Sequence, residues 1–295
     1  MTSKPMRILV TGAGGQVGSE IAAHLLHHEV VALDRAACDL GDRDSVEQAV
    51  AAVRPAAVVN CAAWTDVDGC EADPQRAVLI NAFGVRHLAV ACARVGAHLV
   101  HVSTDYVFPG DKDGPYDEWD EPAPRSVYGR SKLGGEREVA AHAGSWAIAR
   151  TSWVFGRRGR NFVDTIVGRA REGAPLKVVD DQRGCPTYAP DLAGALARLA
   201  VERRAGIYHV TNEGACTWHD LASAAVELAG LDPSVVGTMT TAELGRPAPR
   251  PANSVLSGAA WLAAGLPPLR HWREALAERL AEAATSTSAS AGAGS

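Results

Sequence analysis

From Arg7 to Thr151 the chain alternates short, nearly unbroken apolar runs with longer amphipathic stretches, and glycines crowd the first junction between them. A strand that is apolar on both faces needs cover on both sides, and interleaved helices supply it. RILVTG (7–12), VVALD (30–34), AAVVNCAA (56–63), HLVHVST (98–104) and WAIART (146–151) read as strands. QVGSEIAAHLLHH (16–28), RDSVEQAVAAV (43–53, capped near Asp42 or Asp44), the segment over 73–96 and VYGRSKLGGEREVAAHAG (127–144) read as helices. The pattern predicts an α/β fold built on a doubly wound parallel sheet.

Beyond about residue 155 the alternation loosens. Helices are expected over 161–173, 191–202 and 217–230, the last with Thr217 as N-cap ahead of Asp220, and strands over 176–180 and 206–211. RPAPRPANSV (246–255) must be loop, and a last helix begins near Arg270. The reading is a main domain over 1–155, a smaller lobe over 156–283 with some elements returning to the main core, and a disordered Ser/Ala/Gly tail over 284–295.

TGAGGQVG places Gly12, Gly15 and Gly18 at GxxGxxG spacing, after the first strand and into the first helix. Glycine allows a tight turn and close backbone approach to a pyrophosphate, while a helix N-terminus offers free N–H groups and the positive end of a dipole. A plain tight turn is the bland alternative; the position at the first βα junction favours a dinucleotide. The second strand ends at Asp34, which could hold an adenosine ribose and favour NADH, or simply cap the turn. The next residue, Arg35, could instead meet the 2′-phosphate of NADPH. Asp39 and Leu40 follow where a loop could border the adenine.

Tyr128 and Lys132 lie four apart and share a helical face. A phenol with a pKa of roughly 10 is a poor proton donor at neutral pH, and a nearby ammonium lowers that value. An isolated pair of this spacing is more often a half-buried tyrosine beside a solvated lysine. Thr104 and Asp105, at the carboxyl end of the fourth strand, shift the balance, because ligands of open α/β sheets bind at that edge. A hydroxyl there can orient a carbonyl for protonation.

The 295 residues carry a net charge of −5, which indicates no broad basic surface for nucleic acid. No unbroken apolar run approaches bilayer length, and the N-terminus lacks a signal-peptide core, so a cytoplasmic location is expected. The six scattered cysteines read as free thiols rather than metal ligands.

With TGAGGQVG, STDYVF and YGRSK in this order, the chain resembles an extended short-chain dehydrogenase/reductase. NCAAWTDVDGCE, INAFGVRHLA, RTSWVFG, RNFVDTI, DQRGCPTYAPDLA, GIYHVTNEGACTWHDLA and RPANSVL narrow the resemblance to the dTDP-4-dehydrorhamnose reductase family over residues 6–280. The resemblance implies a Rossmann-type sheet with a smaller C-terminal substrate-binding lobe. It implies cofactor contacts from Gly12, Gly15, Gln16, Val17, Gly18, Asp39, Leu40, Ala62, Ala63 and Thr65, and a catalytic trio of Thr104, Tyr128 and Lys132, of which Tyr128 and Lys132 also touch the cofactor, Lys132 at the nicotinamide ribose. Asp105 and Trp153 would face the sugar nucleotide. The implied reaction is NADPH- or NADH-dependent reduction of a dTDP-4-keto sugar to dTDP-L-rhamnose by a monomer or homodimer. Some relatives dimerise through carboxylates sharing magnesium; Pro190 and the tail stand where such acids would be wanted. A 4,6-dehydratase fits less well, because Tyr106 follows Asp105 where those enzymes carry a second acid. A related 4-ketoreductase of deoxysugar biosynthesis and a non-catalytic subunit of the same fold are the remaining alternatives.

Overall fold

The structure, a computed structural model, describes residues 4–292. Its centre is a six-stranded sheet of β1 (Arg7–Thr11), β2 (Glu29–Leu33), β3 (Ala57–Asn60), β4 (His98–Thr104), β5 (Trp146–Thr151) and β6 (Gly206–His209), in the order β6-β5-β4-β3-β1-β2. Every pairing in it is parallel. The order reverses direction beside β1, so β1 and β3 lie side by side with their carboxyl ends opening a crevice.

Successive side chains of a strand point to opposite faces. Ile8, Val10, Val59 and Val100 go to one face, under the helix α5 (Ala189–Glu202). Leu9, Val58 and Leu99 go to the other, under α1 (Arg43–Val53) and α2 (Gly84–Val95). Each such buried aliphatic chain contributes about 1.5–3 kcal/mol by leaving water. Asp42 caps α1 by accepting from the N–H groups of Asp44 and Ser45.

Two elements of the first half depart from expectation. The stretch over 16–28 forms no α-helix; it is a run of turns ending in a 3₁₀ turn, Ile21–His24. Gly18, inside the stretch, disfavours a helix by about 1 kcal/mol relative to alanine, and Gly14 and Gly15 just before it hold the entry in a turn. The dipole argued for this junction is therefore not available. The segment over 73–96 is helical, but widens into a π-type turn at Leu79–Phe83 between Pro74–Val78 and α2. The whole run, Pro74–Val95, is also long and apolar enough to cross a bilayer by length and composition, against expectation. The expectation counted unbroken apolar runs, which Arg76, Arg86 and Arg94 interrupt. Here Val85, Leu88 and Cys92 bury one side of the run on the sheet.

The second half packs α4 (Phe162–Arg171) on α6 (Trp218–Leu228), whose N-cap Thr217 forms a capping box with Asp220. A short parallel pair, Leu176–Val179 with Val236–Met239, lies beside them. α5 and β6 return to the main sheet. The last helix, α7 (Trp272–Gly292), continues over most of the segment expected to be disordered. Alanine, the strongest helix former, recurs there and sustains the helical backbone. Residues 293–295 of that segment lie outside the described residues.

Candidate active site

The glycine turn is made by contacts no side chain could share. Gly12 has φ of +70°, and a Cβ on it would stand 2.6 Å from the Ala62 nitrogen. A Cβ on Gly18 would stand 2.3 Å from the Gly12 carbonyl oxygen. The Gly15 N–H donates to that same oxygen at 3.0 Å, closing the turn. Among the described residues, no backbone carbonyl accepts from the N–H groups of Gln16, Val17 or Gly18, which leaves them for an anion.

Behind the turn lies a cavity of about 410 Å³ lined by Gly12, Gly15, Asp34, Arg35, Asp39, Leu40, Ala62 and Ala63. The Asp34 carboxylate accepts from the N–H groups of Ala36 and Ala37 at 3.0 and 3.1 Å, so it caps its turn. Arg35 pairs with Asp39 at 3.3 Å and stays largely exposed. Arg76, absent from the expected residues, lies over the Trp64 ring at 4.5 Å, and both line this cavity. A glycine turn that a Cβ would fill, free N–H groups and an adjoining cavity whose lining includes two guanidinium groups suit a dinucleotide.

In front of the turn a second cavity of about 410 Å³ shares Gly15, Cys61 and Ala63 with the first. It brings together Gln16, Val17, Gly18, Thr65, Thr104, Asp105, Tyr128, Lys132 and Trp153. Ser126 caps the helix α3 (Val127–His142) by accepting from the Gly129 N–H at 3.0 Å. Tyr128 therefore sits in the first turn and Lys132 one turn on, beside the end of β4. Thr104 Oγ1 donates to Asp105 at 2.9 Å and accepts from the Tyr106 N–H at 3.2 Å. Burial pushes the Asp105 carboxyl up to about 6.

The lysine does not lower the phenol as expected. Burial raises Tyr128, and the influence that opposes this most is its hydrogen bond with Thr104. Lys132 Nζ is turned instead to the Val102 carbonyl at 2.7 Å and to His101 at 3.4 Å. Burial lowers Lys132 itself to about 8, with Glu136 acting against the shift. The lysine thus titrates within reach of neutral pH.

Trp153 reaches this cavity with one ring face already covered. The resemblance gives it the sugar face, but one face of its ring is stacked on Trp218 at 3.7 Å. Trp218 lines the same cavity and donates to Gln182 Oε1 at 3.2 Å. The backbone of Trp153 sits at φ +48°, a left-handed conformation that costs a bulky residue on the order of 1–3 kcal/mol.

Behind the cavity lies a set of side chains the sequence reading missed. Glu136, two turns beyond Tyr128, holds Arg150 through both oxygens at 2.9 and 2.7 Å and accepts from Ser103 Oγ at 2.5 Å. This buried pair ties α3 to β5 and β4. Asn81, in the π-type turn, accepts from the Trp64 N–H at 2.8 Å and donates to the Trp64 carbonyl at 3.0 Å, fixing the loop after β3. An arginine inside the apolar WAIART strand was the available signal, since such a charge requires a buried partner.

The RmlD substrate binding domain family matches residues 6–285. A Mycobacterium tuberculosis (strain ATCC 25618 / H37Rv) protein named dTDP-4-dehydrorhamnose reductase is 46% identical over 296 residues, spanning 98% of this chain and 97% of its own. A Streptomyces antibioticus protein named as a probable dTDP-4,6-dihydroxy-2-methyloxan-3-one 4-ketoreductase is 46% identical over 279 residues, spanning 92% and 94%. The crystal structure of a Bacillus anthracis str. Ames dTDP-4-dehydrorhamnose reductase in complex with NADP matches with a TM-score of 0.91 at 37% identity, covering 94% of this chain and 99% of that one. On agreement over nearly its whole length, in sequence and in fold, the chain belongs to the dTDP-4-dehydrorhamnose reductase family.

Proposed function

We propose that this protein reduces the 4-keto group of dTDP-4-dehydro-6-deoxy-L-mannose, yielding dTDP-L-rhamnose. The observation that carries the reading is the convergence of Thr104, Tyr128 and Lys132 on one cavity that adjoins the glycine turn. A bound NADPH or NADH would supply a hydride to the carbonyl carbon. The remaining work falls to the protein. Gly12, Gly15 and Gly18 allow the pyrophosphate to reach free backbone N–H groups. Arg35 and Arg76 in the lining of the cavity behind the turn support a phosphate-bearing cofactor, hence NADPH over NADH. Thr104 orients the carbonyl oxygen, and the Tyr128 hydroxyl gives its proton to that oxygen as negative charge develops on it. Lys132, cationic below about pH 8, lines the same cavity one helical turn from Tyr128. Asp105 and Trp153 border the sugar.

The test supplies dTDP-4-dehydro-L-rhamnose with each reduced cofactor and follows cofactor loss. Turnover with NADPH supports the reading, and no consumption with either cofactor overturns it. Tyr128→Phe should lower turnover by about 10²–10⁴-fold, the usual range for a lost proton donor, while the protein remains folded. A second substrate belongs in the same assay, because the Streptomyces antibioticus relative, named for a different dTDP-keto sugar, is as similar as the Mycobacterium tuberculosis one. Faster reduction of that sugar would move the assignment to deoxysugar biosynthesis. A cytoplasmic location is supported by six cysteines that are all free thiols. A monomer or homodimer is the proposed assembly, checked by sedimentation.

A further inference from the structure

A buried row of polar side chains runs under the sheet's carboxyl edge from β1 to α3: Thr11, Asn60, His101 and Lys132. Its hydrogen-bond polarity is determined from one end. Asn60 Oδ1 accepts from Thr11 Oγ1 at 2.7 Å and from the Ala62 N–H at 3.1 Å. A backbone N–H can only donate, so the amide oxygen is fixed on that side and the amide nitrogen faces His101 Nδ1 at 2.9 Å. An amide nitrogen also only donates. His101 Nδ1 must therefore accept, which puts the proton of the neutral ring on Nε2. Complete burial keeps this imidazole neutral.

That Nε2–H lies 3.4 Å from Lys132 Nζ. An ammonium has three donors and no acceptor. One of its hydrogens is well used by the Val102 carbonyl at 2.7 Å. Facing His101, the ammonium meets another donor, whereas a neutral amine would accept from it. We propose that His101 is a positioning residue for Lys132: held by Asn60 with its proton on Nε2, it presents a donor where the ammonium needs an acceptor and biases the lysine towards the neutral amine.

The other titratable groups near Lys132 pull the opposite way. Cys61, from the end of β3, and Glu136, one turn further along α3, both favour the ammonium. Their influence is weak, because burial pushes the Cys61 thiol up to about 12, leaving it uncharged, and Glu136 is engaged by Arg150. Tyr128, one turn earlier on α3, is itself held neutral by burial. His101 thus adds to burial in making Lys132 a group that changes charge near working pH. The consequence for turnover rests on the ketoreductase reading, but the ionisation itself does not.

The test reads both side chains directly in the full-length, ligand-free protein. The chain has four lysines, Lys4, Lys112, Lys132 and Lys177, so ¹³Cε signals are few and Lys132 is assigned by its absence in Lys132→Met. Nitrogen-15 shifts of His101 should report the Nε2–H tautomer in the wild type. His101→Phe removes the opposing donor, and the Lys132 midpoint should rise by about one pH unit. His101→Gln can offer an oxygen to Asn60 and an N–H to Lys132, and its midpoint should stay near the wild-type value. An Nδ1–H tautomer in the wild type, an unmoved midpoint in His101→Phe, or an equal rise in both variants overturns the proposal. If His101→Phe does not fold, the wild-type tautomer and the His101→Gln titration still decide. In the ketone assay, the alkaline limb of kcat should move up in His101→Phe alone. Absence of any ketone reduction in the wild type, with tautomer and titration as stated, would fault the functional reading and leave this one standing.

Discussion

The cavity behind the glycine turn and the cavity in front of Thr104 meet at Gly15, Cys61 and Ala63, yet they are built from different material. The first is shaped by backbone: Gly12, at positive φ, leaves no space for a side chain, and its charged residues sit at an exposed rim. The second is shaped by side chains buried almost completely, among them Thr104, Asp105, Lys132, Glu136 and Arg150. Backbone shape is sensitive to an added atom and indifferent to rim charges. A buried polar set is sensitive to a lost partner, because an unpaired charge in the interior has no water to turn to.

Substitutions can break this contrast or sharpen it. Glu136→Gln should have the largest effect, since it leaves the buried Arg150 guanidinium without its counter-charge. A loss of about 3–5 kcal/mol is expected in chemical denaturation. A midpoint near the wild-type value would show that the second cavity does not depend on this pair. Gly18→Ala comes next. Its methyl would lie 2.3 Å from the Gly12 oxygen, so the turn must shift, costing about 1–3 kcal/mol and weakening cofactor binding at least about tenfold. Gly14→Ala is the control, because a Cβ there meets nothing within 4 Å, and its unfolding midpoint should not fall. Equal loss in both would show that the close approach to the Gly12 oxygen is not what sets Gly18 apart.

Lys132→Met probes the charge cost. Burial depresses the folded lysine to about 8, while the unfolded chain keeps roughly 10.4. Between these values the unfolded state binds more protons, so wild-type stability should climb as pH rises from 8 to 10.4. The buried ammonium is a cost present below pH 8, and Lys132→Met should relieve it by on the order of 1–3 kcal/mol at pH 7 and flatten the climb. Unfolding at pH 7 and pH 10 checks the sign. The smallest effect is expected from Arg35→Ala. This guanidinium is 69% exposed in its pair with Asp39, so the unfolding midpoint should not move measurably. Affinity for NADPH should fall relative to NADH, as titrations of the two would reveal.

What the amino-acid order disclosed follows a similar division. β4, β5 and α1 were legible to the residue because their apolar spacing and the Asp42 cap act locally. The glycines, Thr104 and Tyr128 were legible because each stands at the end of an element, where ligands of such sheets bind. The α-helix expected over 16–28 was not formed, since apolar periodicity there competes with Gly18 and with the glycine turn that leads into it. Glu136 and Arg150 went unread because their pairing joins a helix to a strand across the fold. His101 looked like one more strand residue until Asn60, 41 positions earlier, fixed which nitrogen carries the proton.

Trp153 and Trp218 have a consequence outside chemistry. Two indoles stacked at 3.7 Å and only 9° from parallel are close enough for their electronic transitions to couple. The pair joins a residue just past β5 to the first residue of α6, on the wall where the sugar is proposed to lie. Such a dimer of chromophores gives a paired positive and negative band in near-ultraviolet circular dichroism, and each ring quenches the other's emission. The protein thus carries its own optical gauge of the spacing between the end of β5 and the start of α6.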